Sequence, residues 1–135
     1  MSNAAFRRDF AALLNKAGDK AELVVRNAAL ELQSGMVAMA VVDTGRFKGN
    51  FQCGVGAVNT TTDSPPDKDG GATIGRTQAV LEGWKVGQTI WLTNSLPYAR
   101  RLEYGHSMQM PNGCVRLTVQ NYSAALAKAV ASVKD

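Results

Sequence analysis

Over residues 3–42 the apolar side chains return every three or four positions: Phe6, Phe10, Leu13, Leu14, Ala17, Ala21, Val24, Val25, Ala28, Leu32 and Met36 fall on one stripe. Arg8, Asp19, Lys20, Arg26 and Glu31 fall on the opposite side. This is the pattern of a long amphipathic helix, and its apolar stripe has to be covered by whatever the rest of the chain folds into. Asn3 is placed to cap its first turn. Gly18 and Gly35 each weaken the helix by about 1 kcal/mol relative to alanine, which marks Gly35 as a point for a kink or an early end.

The periodicity then changes. In "VDTGRFKGNF", Asp43 and Thr44 can accept from orphan backbone donors, Gly45 permits unusual dihedrals and Phe47 supplies an apolar anchor, so a tight turn with a short helical piece is expected. "FQCGVGAV" alternates, with Phe51, Cys53, Val55 and Ala57 on one face and Gln52, Gly54 and Gly56 on the other, as a strand does. The glycines suggest a bulge or a backbone passing close by. Residues 59–72 carry hardly any apolar side chain and are expected to form a projecting, mobile loop. Such a loop either binds something, orders in an assembly or is a tolerated surface insertion.

Beyond it, "TQAVLEGW" predicts a short helix with Val80, Leu81 and Trp84 inward. "VGQTIWLTNS" predicts a strand with Ile90 and Leu92 on one face and Thr89, Trp91 and Thr93 on the other. In "NSLPYARRLEYG", Asn94 or Ser95 before Pro97 is a helix-start signature and Gly105 a stop. Tyr98 and Leu102 share one side of this short helix, and Arg100 and Glu103 can pair at a spacing of three. Residues 114–134 set Val115, Val119, Tyr122, Leu126, Ala129, Val130 and Val133 on a closing helical stripe. The expected fold is α+β: a single domain over residues 1–135, with long N-terminal and C-terminal helices packed on a small, mostly antiparallel sheet, and a long mobile loop.

Several classes of function lack support. No apolar run approaches membrane-spanning length and no charged-then-apolar leader opens the chain; Met1 before Ser2-Asn3-Ala4 reads as a native start, and a soluble, intracellularly made protein is expected. Cys53 and Cys114 stand too far apart for a CxxC and read as buried thiols. His106 is the sole histidine, which excludes a two-histidine metal site within one chain and leaves a zinc site of Cys53, Cys114 and His106 without supporting spacing. "GVG" at 54–56 lacks the rest of a dinucleotide motif, and no phosphate-cradling GxxxxGK[ST] occurs. The net charge of +4 arises in the second half, where residues 68–135 hold eight Lys or Arg against four Asp or Glu. No basic run exceeds two residues, so a mildly basic solvated surface is favoured over a nucleic-acid site built on Arg100, Arg101 and Arg116. A hydrolase would have to use His106 with Ser107 or Cys114 and an unlocated carboxylate. Interaction is favoured over catalysis, with no catalytic residue, cofactor or metal expected.

The residues with the most distinctive order are Val42, Asp43, Thr44, Gly45, Arg46 and Phe47, then Asn94, Leu96, Pro97, Tyr98, Ala99, Leu102, Glu103, Tyr104, Gly105 and Ser107, followed by Gly113, Val115 and Arg116. In this order and spacing, over nearly the full chain, the sequence resembles the small tail-completion and neck (head-tail joining) proteins of long-tailed bacteriophages and prophages. The resemblance implies a non-enzymatic virion protein that forms a six-fold ring at the head-proximal end of the tail and is made in the host cytoplasm. Its partners would be copies of itself, the tail tube protein and neck or connector proteins, with DNA passing through without specific binding and no membrane involved. A head-closure or adaptor role in the same neck is the nearest alternative.

A ring requires a heterologous contact, one patch meeting a different patch on the neighbour. Tyr98, Arg101, Glu103 and Tyr104 are candidates for one patch, because Tyr and Arg are enriched at interfaces. Asp43, Arg46 and Phe47 are candidates for the other.

Overall fold

The structure, a computed structural model, describes residues 20–104 together with residues 4, 8, 9, 11, 12, 15, 113, 115, 118, 127, 128 and 131. Its elements are α1 (Ala21–Met39), α2 (Arg46–Gly49), β1 (Gln52–Val55), α3 (Gly71–Glu82), β2 (Ile90–Thr93) and α4 (Ala99–Glu103). β1 and β2 pair antiparallel in the register Gln52↔Thr93, Cys53↔Leu92, Gly54↔Trp91 and Val55↔Ile90. Helix α1 packs on α3, and α3 on β1, so the fold is α+β with helices against a small antiparallel sheet. No helix among the described residues is long and apolar enough to cross a membrane.

The apolar stripe of α1 faces inward as its spacing requires, with Val24, Ala28 and Met36 buried. Phe6, Phe10, Leu13, Leu14 and Ala17, the Asn3 cap and Gly18 lie outside the described residues, although Ala4, Arg8, Asp9, Ala11, Ala12 and Asn15 are helical. Helix α1 does not break at Gly35. It continues to Met39, and the missing side chain admits Thr118, whose Cγ2 lies 3.2 Å from where a β-carbon would stand. Val115, Thr118, Ala127, Lys128 and Ala131 of the closing segment are helical, and Lys128 Nζ reaches Glu31 Oε2 at 3.3 Å, which ties that segment to α1. Val115 is exposed rather than inward. The remaining stripe positions of the closing helix lie outside the described residues.

One core cluster joins Met36, Val37 and Ala40 of the first helix and its exit to Phe47, Phe51 and Leu96. The rings of Phe47 and Phe51 meet edge to face, with centroids 5.3 Å apart. Each buried phenylalanine contributes about 1.5–3 kcal/mol, and the ring geometry about 1 kcal/mol more. A smaller cluster of Ala29, Cys53 and Leu81 sits where α1, β1 and α3 meet, and burial there raises the Cys53 thiol above its ordinary pKa. The chemistry of this cysteine is therefore that of a small core residue. Between the clusters Gln33 is fully buried; its Nε2 donates to Gln52 O at 3.2 Å and to Thr77 Oγ1 at 3.4 Å.

The loop after β1 is long and irregular, as its composition implies, but it does not project. Strand β1 is buried on both faces because the loop returns across the face that carries Gln52 and Gly54. A β-carbon on Gly54 would overlap the Ala57 carbonyl, so the close backbone approach expected at this glycine is made by the chain's own return. Thr93 Oγ1 donates to Asn59 O at 2.6 Å. Gln52 Nε2 donates to Thr61 O at 3.3 Å and to Ser64 Oγ at 2.8 Å, and Ser64 N donates to Asn50 Oδ1 at 3.1 Å. Helix α3 starts at Gly71 after its N-cap Gly70, inside the stretch expected to be loop, and Asp67 upstream satisfies donors of its first turn. Its carboxylate accepts from Gly70 N at 3.0 Å, Thr73 N at 2.8 Å and Thr73 Oγ1 at 2.7 Å. Partial burial opposes ionisation of Asp67, but the hydrogen bonds from Thr73 Oγ1, Thr73 N and Gly70 N outweigh it and hold the pKa below the ordinary aspartate value.

Candidate functional site

Two of the distinctive sequence segments, 42–47 and 94–104, come together in one chain. Gly45, at φ +88°, turns the backbone into α2; only glycine adopts this conformation freely, and Arg46 N is steadied by Thr44 Oγ1 at 3.2 Å. The same glycine and Gly49 lie against the loop: Asp67 N donates to Gly45 O at 2.9 Å, and β-carbons at both positions would run into the backbone of Pro65 or Asp67. Gly45 and Gly49 are four apart and share one side of the turn. Arg46 and Phe47 lie further round it, where they meet the second segment.

That meeting is specific. Asn94 Nδ2 donates to Phe47 O at 2.9 Å, while its Oδ1 accepts from Leu96 N at 3.3 Å. Asn94 therefore staples the two segments rather than capping α4, which begins later, at Ala99 after Tyr98. The Arg46 guanidinium lies over the Tyr98 ring at 5.7 Å, and the Phe47 ring is 6.4 Å from that of Tyr98. Between them runs an open groove of about 310 Å³, lined by Val41, Asp43, Arg46, Phe47, Tyr98 and Leu102 among others. Tyr98 and Leu102 pack against the core on their inner side, as their spacing requires.

The candidate interface residues thus divide. Asp43, Arg46 and Arg101 are exposed, and Tyr104 is 60% exposed with the Arg100 guanidinium over its ring at 5.9 Å. Phe47 is buried in the core, with only its groove-facing side available. Glu103 is turned into its own chain. Its Oε1 accepts from Val115 N at 2.9 Å, and Gly113, at φ +77°, is so close that a β-carbon there would overlap the Glu103 carbonyl and carboxylate. The spacing between Glu103 and the Gly113 to Val115 segment therefore has an intrachain reason, anchoring the chain beyond α4. Asp43, Arg46 and Phe47 also share one groove with Tyr98, so the two segments expected to be separate patches form a single face.

His106, Ser107, Cys114 and Arg116 lie outside the described residues. Among the described residues no group of three or more His, Cys, Asp or Glu side chains is placed to hold a metal ion. Buried Gln33, Asn50, Thr73 and Thr77 and half-buried Asp67 carry no periodic signal that marks them as structural anchors, although Asp67 ahead of Gly70-Gly71 has the form of a helix cap. No family model, no curated protein and no solved structure matches the chain.

Proposed function

We propose that this chain is a structural virion protein which assembles as a ring at the head-proximal end of a phage tail, completing the tail or joining it to the head. The observation that carries this reading is the composite face: a glycine turn, an asparagine staple and an arginine-tyrosine stack hold the 42–47 and 94–104 segments together beside an open groove. A surface made rigid in this way loses little conformational entropy on association, which favours docking over chemistry. Arg101 of α4 and Tyr104 just past it are exposed, and both are residue types that deliver binding energy at interfaces.

The test is assembly. The purified chain, alone and mixed with immature tails, should yield particles whose mass is a multiple of 14.4 kDa, seen as rings at one tail end by negative-stain microscopy. A chain that stays monomeric in both settings and leaves tails unchanged overturns the reading. Capture by isolated heads instead of tails would favour the head-closure role.

A further inference from the structure

The ring reading leaves one patch unassigned, because the two segments expected to face each other across a subunit boundary line the same groove. We propose that the face carrying Arg46, Tyr98 and Arg101 takes the acidic, proline-bearing loop at residues 63–69 of a second copy of this chain; this rests on the ring reading and names the contact that closes it.

The turn at 43–50 carries both surfaces: Gly45, whose carbonyl accepts from Asp67 N of the loop, is also among the residues that line the groove. Gly45 and Gly49 present one side to the chain's own loop at Pro65 and Asp67, while Arg46 and Phe47 present another to Tyr98 and Asn94. A loop and a groove are unlike patches of the kind that a closing, head-to-tail contact needs. Their charges are complementary. The loop segment "DSPPDKD" holds three aspartates and one lysine, whereas the groove is lined by exposed Arg46 with Asp43, and a further exposed arginine, Arg101, precedes its lining residue Leu102 on α4. Asp67 is bound to its own helix and Asp69 Oδ1 accepts from Gly71 N at 2.9 Å, which leaves the exposed Asp63 as the loop carboxylate available to a neighbour, and neither Asp63 nor Arg101 forms an ion pair among the described residues.

Shape agrees with charge. Pro65 and Pro66 are exposed, and a proline pair is already stiff, so seating it costs little ordering entropy. Aromatic-walled grooves receive such pairs, and Phe47 and Tyr98 form one wall here. The anchors on either side, Ser64 to Asn50 and Asp67 to Gly45, present the prolines on a fixed stem.

The experiment is a charge exchange in the full chain. Arg101→Asp and Asp63→Arg are made singly and together, all three are checked for unchanged thermal unfolding, and association is followed by sedimentation and by counting rings on tails. Each single change should weaken association about tenfold or more, and the double exchange should restore it to within about threefold of the parent, with the contact weakening as salt rises. Single variants that assemble like the parent, or a double exchange no better than the singles, overturn the loop assignment while leaving the ring intact. A parent chain that forms no ring at all overturns the ring reading and this contact with it.

Discussion

On one side of the 43–50 turn, Asn50, Gln52 and Asp67 bond to the backbone and side chains of their own chain; on the other, Arg101 and Tyr104 stand out into solvent. Both regions are polar, and composition alone would rank the loop as the looser of the two. The difference lies in where the hydrogen bonds end. Inward-facing polar groups that find partners fix a loop as firmly as apolar contacts would, because each unmade bond in a buried setting costs about 1–3 kcal/mol. The anchored side keeps its shape without help from a partner, and the outward side leaves large side chains exposed.

The sharpest way to break this contrast is at the glycine on which the loop rests. Gly45→Ala puts a β-carbon 2.8–2.9 Å from the Asp67 backbone while forcing alanine into a left-handed conformation, and should destabilise by about 3 kcal/mol or more. Gly87→Ala is the control, since Gly87 has φ +98° but nothing within 4 Å, and only the conformational cost of about 1–2 kcal/mol remains. Urea unfolding of the pair measures the difference. Equal losses would mean that the loop does not press on the turn.

Next in size is the cap of α3. Asp67→Ala removes the acceptor for Gly70 N, Thr73 N and Thr73 Oγ1 and should cost about 1–2 kcal/mol. The pH dependence has a definite sign. A carboxylate whose folded pKa is depressed binds its proton less readily in the native state, so its stabilisation is fully present above the ordinary aspartate value of about 3.9 and is lost as pH falls through the lower folded value. Thermal unfolding of the parent should therefore decline more steeply below about pH 4 than that of Asp67→Ala. Parallel acid profiles for the two proteins would rule out this role for the cap.

These anchors also show how far the sequence could be read. Apolar spacing is written in residue types, so the inward stripe of α1, the existence of strands β1 and β2 and the Tyr98–Leu102 side of α4 could be read from the sequence, whereas the burial of both faces of β1 could not. Destination is not written that way. Asn50, Gln52 and Asp67 look the same in a sequence whether they meet water or a backbone amide, and only the return of the loop over β1 decides it. The same holds for the candidate face. The motif residues Arg46, Tyr98 and Asn94 were visible as a group, but their contact with one another depends on a turn whose geometry comes from Gly45 and on a partner 47 residues away for Asn94. Glu103 read as an interface residue because its acceptor role toward Val115 spans a stretch with no periodicity to announce it.

A smaller effect of opposite sign separates crowded glycines from idle ones. Gly75 lies in the interior of α3 with open space where a β-carbon would go, so Gly75→Ala should stabilise by about 0.5–1 kcal/mol through helix propensity and reduced unfolded-state entropy. A raised unfolding midpoint with an unchanged denaturant slope is the expected result. A loss would mean that the exposed face of α3 carries a contact that alanine disturbs.

The smallest stability change is expected where the functional change should be large. Tyr104→Ala removes a ring that is 60% exposed and touches the Arg100 guanidinium, and should alter unfolding free energy by no more than about 0.5 kcal/mol. If the outward side serves assembly, the same variant should reduce ring formation on tails about tenfold, the effect of losing an aromatic contact at an interface. Glu103→Ala is the counterpart inside the corner: it removes the acceptor of Val115 N and the packing against Gly113, so its loss should register first in folding. The decisive measurement is the ratio of the two effects in each variant. Tyr104→Ala should be assembly-defective at nearly full stability, whereas Glu103→Ala should lose assembly only in proportion to stability. A Tyr104 variant that assembles normally would place the contact elsewhere on the face, toward Arg46 and the groove.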